Sequence, residues 1–523
     1  MMKTKNIFYS LAVATALLAT GCVSDSDLNQ TDPNFDVADN FWKTDEDALQ
    51  GVNATYGSLI TDGSYMRSTP LLLDLKGDGT RSNSPWGAMA NVGRFNSSVS
   101  DAAIYGWAFE TFYQGVYRAN QVLENVPGIE MEDAALKDRV IGQAYFLRGL
   151  YFFHLVNMFK NVPLPLTSLE IYHEQKSQEE GWAQVISDLE MAASLLPANY
   201  SDVSGLDAGQ AGRATRGAAY AYLGKAHLFN QNYSEAKSAF EQVINSGEYA
   251  LVANYQDNFT LYNENNSESI FEVQFSREAG GVDLGWGGAP ASGWGKTSAR
   301  AITYGPPSFG FTDVQPTRIL FDDYHKEATV DGQVDPRLDA TMFYNKPGGM
   351  MLYGVDFATH YGGNEAYLND LFCAKYQNAD GSRADEYDWR SGINERIMRY
   401  ADVLLMYAEC LNELGQTGAA YDYIQQVRDR VNLPDLATTK PGMSQSEMRD
   451  QIAHERFLEF PLEGHRFDDI RRWGWLNDAS KLEWLKSRDP EYGSYINGRE
   501  FFPIPQSEMD NNPLMVIGQN EGY

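Results

Sequence analysis

Apolar residues recur at steps of three and four through several long windows, the period that gathers them on one face of an α-helix. The clearest window spans 217–246. There Tyr220, Leu223, Gly224 and His227 fall on one face of a first helix, Asn230-Gln231-Asn232 reads as a turn, and Ala236, Phe240 and Val243 line a second helix. Gly224 and Ala236 stand twelve apart and are small enough to let the two helices approach closely. The same grammar returns where Leu404, Ala408 and Leu411 are followed by Ala420, Ile424 and Val427. Two looser pairs are expected as well. Residues 143–159 pair with 182–196 across an insertion holding Pro163 and Pro165, and 48–59 pair with 107–126 across a longer gap.

Paired helices with small residues at the crossing follow the tetratricopeptide pattern. The expected fold is therefore mainly α, with four split helix pairs at about 46–249 and 396–430. Two insertions interrupt it, and long insertions in a helical scaffold are where function is usually carried. Residues 60–100 are rich in Gly, Ser, Asn and Asp and contain Asp74, Asp78, Arg81, Asn83 and Trp86. Residues 250–395 mix short strand-like runs, such as 269–275, with glycine-rich loops that carry Trp286 and Trp294.

The first 21 residues hold Lys3 and Lys5, an apolar run from Ile7 to Leu18, and small residues up to Gly21. This is the layout of a bacterial secretion signal, too short to span a bilayer. Processing before Cys22 would start the mature chain at a lipidated cysteine, with 22–45 as anchor and linker and 46–523 as the body. Each buried methylene of an acyl chain contributes about 0.8 kcal/mol, so several chains on Cys22 would hold the protein to a membrane. The acidic spacer Val23-Ser24-Asp25-Ser26-Asp27 reads either as a solvated linker or, by its resemblance to the signal of surface lipoproteins, as an address for the outer face of the outer membrane.

The charge balance, 41 Lys and Arg against 71 Asp and Glu, gives a net −30. Long-range repulsion at that charge argues against nucleic acid and strongly anionic partners. Besides Cys22 the only cysteines are Cys373 and Cys410, so there is neither a disulfide framework nor a cysteine-rich metal site. No catalytic motif survives inspection. His454-Glu455 lacks a second histidine at position 458, which is Leu458. The glycines at 285–288 follow no clear strand and open no helix, and no G-x-S-x-G elbow occurs. No cofactor or metal is therefore expected, and the chain is read as a binding protein rather than an enzyme.

Several segments, in order along the whole chain, resemble the SusD-like (RagB/SusD) family of nutrient-binding outer-membrane lipoproteins. They are AYFLRGLYFF at 144–153 leading to FKNVPL at 159–164, GRATRGAA at 212–219, RYADVLLMYAE at 399–409, EGHRFDD at 463–469, RRWG at 471–474, FPIP at 502–505 and QNEGY at 519–523. Glu521 departs from a position where the family often has proline. The resemblance implies a helical lid on a TonB-dependent (SusC-like) outer-membrane transporter, lipid-anchored, facing the exterior and binding a glycan. Within these motifs Glu463, Arg466 and Asp468 are expected to form a buried ion-pair network, because charges packed among aromatics need partners.

A glycan site needs flat rings to cover the C–H face of a pyranose and polar groups to satisfy its hydroxyls. Trp86, Trp286, Trp294 and Tyr304 are the candidate rings, and Asp78, Arg81 and Asn83 the candidate polar partners. Each tryptophan has an alternative role as a plug that fixes its loop to the core. The acidity favours a neutral glucan such as laminarin or starch over a sulfated polymer. Peptide uptake by the same fold, a protein-binding adaptor and a helical glycosidase are the competing readings.

Overall fold

Eight helices form where the apolar spacing places them: α1 (Asp45–Tyr56), α2 (Tyr105–Asn125), α3 (Ala134–Phe159), α4 (Gln178–Leu195), α5 (Arg216–Phe229), α6 (Tyr233–Ile244), α7 (Tyr400–Glu413) and α8 (Thr417–Arg430). They come from a computed structural model that describes residues 41–277, 296–377 and 391–523. Local signals set their starts. Ser177 and Glu180 make a reciprocal capping box at α4, Asp133 accepts the Ala135 and Leu136 amides at α3, and Thr215 accepts the Ala218 amide at α5.

Each helix packs on the next, from α1 on α2 through to α7 on α8. The contact of α6 with α7 is the informative one, because some 150 residues separate them and the chain returns to continue the same run. Helix α3 lies in the middle, with every residue from Phe146 to Phe159 buried. A helix apolar on all sides is stable only when covered on all sides, and α2, α4 and α1 supply that cover. The close crossing of α5 and α6 depends on Gly224, where a Cβ would stand 2.5 Å from the Phe240 ring. One apolar cluster runs from Ala48 to Met515, so the helical run and the C-terminal segments share a core.

Outside the helical run the two insertions build small satellite layers rather than a large sheet. Strand β1 (Thr80–Ser82), β2 (Ser269–Val273), β3 (Val314–Pro316) and β4 (Glu395–Arg399) form two antiparallel pairs, β1 with β3 and β2 with β4. The β1–β3 pair joins the two insertions, with Arg81 opposite Gln315.

The charged family motifs lie inside. Glu463 pairs with Lys375 and Arg399, each at 2.7 Å, Arg466 with Asp78 at 2.5 Å, and Asp468 with Arg471 at 3.0 Å. Arg399 also reaches Glu459 at 3.0 Å, and Arg337 bridges Asp335, Glu455 and Glu459. Removing one member of such a buried network costs about 3–5 kcal/mol, because the partner charge is left without compensation. These residues are structural, as their setting among aromatics implied.

Candidate functional site

The first insertion is brought against the second by backbone bonds. The Ala299 amide donates to the Met66 carbonyl at 3.0 Å and the Asn83 amide to the Asp313 carbonyl at 2.9 Å, flanking the β1–β3 ladder. Pairing β1 with β3 directs Arg81 outward, where its guanidinium donates to Gln315 Oε1 at 3.0 Å and lies 3.5 Å from Asp370. Asn83 is exposed next to it. Three residues on, the Trp86 amide donates to Ser84 Oγ at 3.2 Å, and Trp86 stands at the N-cap position of the short helix Gly87–Gly93.

Trp86 is half-buried, and its ring lies against that of Trp107 with centroids 5.8 Å apart and planes tilted by 36°. The guanidinium of Arg67 stands 5.7 Å from the Trp107 centroid. Asp62 fixes it through two bonds, from Nε at 2.6 Å and Nη2 at 2.5 Å. Asp313 completes the floor. Burial raises its pKa, opposed by the Ser84 hydroxyl and by Arg67. Phe311, 50% exposed, projects from the adjoining turn, which closes tightly because a Cβ on Gly310 would sit 2.4 Å from the Ile302 carbonyl oxygen. The result is an aromatic platform, with the exposed Arg81 and Asn83 three to five residues before Trp86 on the segment leading into it, suited to covering the flat face of a ring and bonding hydroxyls at its edge.

Two of the expected glycan contacts lie elsewhere. Asp78 is fully buried and holds Arg466 at 2.5 Å and Arg488 at 2.7 Å. Burial alone would raise its pKa, but the two guanidiniums outweigh that and hold it below the ordinary carboxylate value. Tyr304 is 2% exposed and donates its phenolic hydrogen to Asp74 at 2.9 Å. Neither presents a polar group to solvent, so both are corrected from contact to support. Trp286, Trp294 and Cys22 lie outside the described residues. Sequence reasoning missed Arg67, Trp107, Phe311 and Asp313. Trp107 was read only as part of a helix, and the other three carry no local signal beyond lying in or near the insertions.

Several concavities lie apart from this platform. One of about 300 Å³ is lined by Asn53, Tyr56, Arg213 and Gln274, an adjoining one of about 370 Å³ by Asn199, Tyr249 and Asn265, and one of about 450 Å³ by Met443, Glu447 and His454. Ring stacking requires a flat surface rather than a cavity, so the platform remains the candidate site. Among the described residues no cluster of His, Cys, Asp or Glu is arranged to hold a metal ion, and Cys373 and Cys410 are free and buried, their thiols pushed up in pKa by burial.

Comparison with known proteins adds the following. The SusD family profile matches residues 267–523, and a second profile, described as starch-binding and associating with the outer membrane, matches 52–228. The chain is 26% identical to SusD-like protein P25 of Formosa agariphila in an alignment covering all of both chains. A crystal structure of a SusD superfamily protein from Bacteroides vulgatus superposes with a TM-score of 0.76 at 29% identity, covering 92% of this chain and 100% of that one. A laminarin-binding SusD-like protein superposes with a TM-score of 0.72 at 27% identity and the same coverage.

Proposed function

Because the chain belongs to the SusD family, we propose that it is a surface lipoprotein that captures a neutral polysaccharide and delivers it to a TonB-dependent outer-membrane transporter, without acting on it as an enzyme. The observation that carries this reading is the Trp86–Trp107 platform, with the exposed Arg81 and Asn83 on the segment leading into it. A glucan of the laminarin type is the first candidate, on the likeness to the laminarin-binding relative and on the net charge of −30, which repels polyanions.

The transporter contact is assigned to an exposed apolar strip. Leu169 and Ile171 are 85% and 86% exposed, and Val516 is 78% exposed. The two segments adjoin, since the Gln175 amide donates to the Leu514 carbonyl at 3.2 Å and Gln175 Nε2 to the Gly518 carbonyl at 3.0 Å. Exposed apolar residues gathered on neighbouring segments in this way suit an interaction site. The anchor is assigned to Cys22, which directly follows the signal-type segment ending at Gly21.

Electrophoresis through gels containing laminarin, starch or an uncharged control matrix, with product analysis of each incubation, tests the binding claim. Retardation without released sugar supports it, and sugar release would assign an enzyme instead.

A further inference from the structure

We propose that Trp473, Trp475 and Trp484 form a second carbohydrate-contacting surface, reached by long chains whose other portion lies on Trp86. This rests on the glycan reading above and adds a contact that short oligosaccharides do not make.

The three rings form a connected cluster. Trp473 and Trp475 have centroids 5.1 Å apart, and Trp475 and Trp484 5.5 Å apart with planes at 88°. Trp473 is the anchored member, its indole N–H donating to Glu409 Oε1 at 3.0 Å. Trp484, on the helix Ala479–Arg488, is 40% exposed and the most exposed tryptophan among the described residues. It is not needed to close the core beneath it. Leu485, its neighbour in sequence, is fully buried with Phe95, Phe467 and Tyr492 and holds the helix down. The indole N–H of Trp484 has no partner among the described residues, leaving a donor free beside the ring.

Charge selects the ligand class. Lys481 pairs with Asp450 at 2.9 Å, Lys486 with Glu483 at 2.7 Å, and Arg488 with Asp78 at 2.7 Å and Asp323 at 3.3 Å. Every cation on this helix is therefore matched by a carboxylate. An anionic lipid surface or a sulfated polymer would need unmatched positive charge. A neutral pyranose needs none: its C–H face covers the indole, and its hydroxyls donate to carboxylates and accept from ammonium and indole N–H groups.

The two surfaces are joined through a short stretch of structure. The helix Gly87–Gly93 begins at Trp86 and ends where Arg94 meets Glu491 at 3.4 Å, three residues beyond Arg488. That helix alone spans about 10 Å, so only a polymer of several sugars can reach from one surface to the other. Two linked contacts raise avidity for a polymer without any change in affinity for a fragment too short to bridge them.

The test compares binding of laminarin polymer and of a short laminari-oligosaccharide to the mature chain. Trp484→Ala should weaken polymer binding about tenfold and leave the oligosaccharide within twofold, whereas Trp86→Ala should weaken both. Trp484→Tyr, which keeps a ring, should retain most polymer binding, and it guards against a folding defect in the alanine variant. Polymer affinity within twofold of wild type in Trp484→Ala would overturn the proposal, as would Trp484-dependent sedimentation with phosphatidylglycerol vesicles and no polymer effect. Failure of Trp86→Ala to weaken either ligand would instead remove the Trp86 reading, so the two failures are distinguishable. A wild-type protein that binds no neutral glucan would sink both.

Discussion

Tyr304 donates its phenolic hydrogen to Asp74 at 2.9 Å inside the protein, on the same carboxylate that accepts the Gly464 amide at 2.8 Å and faces Arg300 at 3.3 Å. Burial pushes the Asp74 pKa up, and Arg300, the Gly464 amide and Tyr304 oppose it. The pair thus fastens the second insertion to the first below the platform. Tyr304→Phe should cost about 1 kcal/mol of stability, the worth of one buried hydrogen bond, and leave glycan affinity within twofold. Thermal unfolding and gel retardation measure both. Lost affinity at unchanged stability would return Tyr304 to the binding surface.

Acid should weaken the fold through Glu459. It accepts Arg337 at 3.1 Å, Arg399 at 3.0 Å and Arg430 at 2.5 Å. Burial alone would raise its pKa, but the three guanidiniums outweigh it and bring the value down from 4.5 to about 2. A depressed folded-state pKa means that the unfolded chain binds the proton more tightly. The stabilisation is therefore present above pH 4.5 and is lost as the pH falls toward 2. Urea midpoints at pH 7, 5 and 3 should fall steeply at the last step for the wild type. Glu459→Gln should start about 3–5 kcal/mol weaker at pH 7 and lose less on acidification. Parallel losses in both proteins would exclude Glu459 as the responsible group.

The helical run was legible because burial leaves a period in the sequence: the close approach of α5 and α6 at Gly224 and the aromatic length of α3 follow from the spacing of apolar and small residues. The ion-pair network was legible too, since Glu463, Arg466 and Asp468 sit among aromatics and charges there require partners. The interior of the first insertion was not. Its Gly, Ser, Asn and Asp content makes Asp78 read as a glycan contact, yet Asp78 is fixed by Arg466 and Arg488, which stand 388 and 410 residues away in sequence. Pairings at that range leave no local pattern. Trp107 was hidden for the opposite reason, since its helical period gave it a sufficient role before its contact with Trp86 could be seen.

The anchor has a direct test. Cys22→Ala should incorporate no radiolabelled palmitate and should disappear from the outer-membrane fraction while remaining folded, because the body of the protein does not include the lipid site. Label incorporation in the variant would place the attachment elsewhere.

The central claim is that the Trp86 platform binds the glycan, and isothermal titration of Trp86→Ala with the polysaccharide that retards the wild type tests it most directly. A stacking indole at an interface contributes about 2 kcal/mol, or roughly thirtyfold in affinity. Arg81→Ala and Asn83→Ala, on the exposed segment before it, should each weaken binding less and leave the melting temperature unchanged. The account predicts at least a tenfold loss in Trp86→Ala, with a modest fall in melting temperature because the ring is only half-buried against Trp107. Wild-type affinity in Trp86→Ala, together with a large fall in melting temperature, would contradict it and leave Trp86 as a plug that fixes its loop to the core.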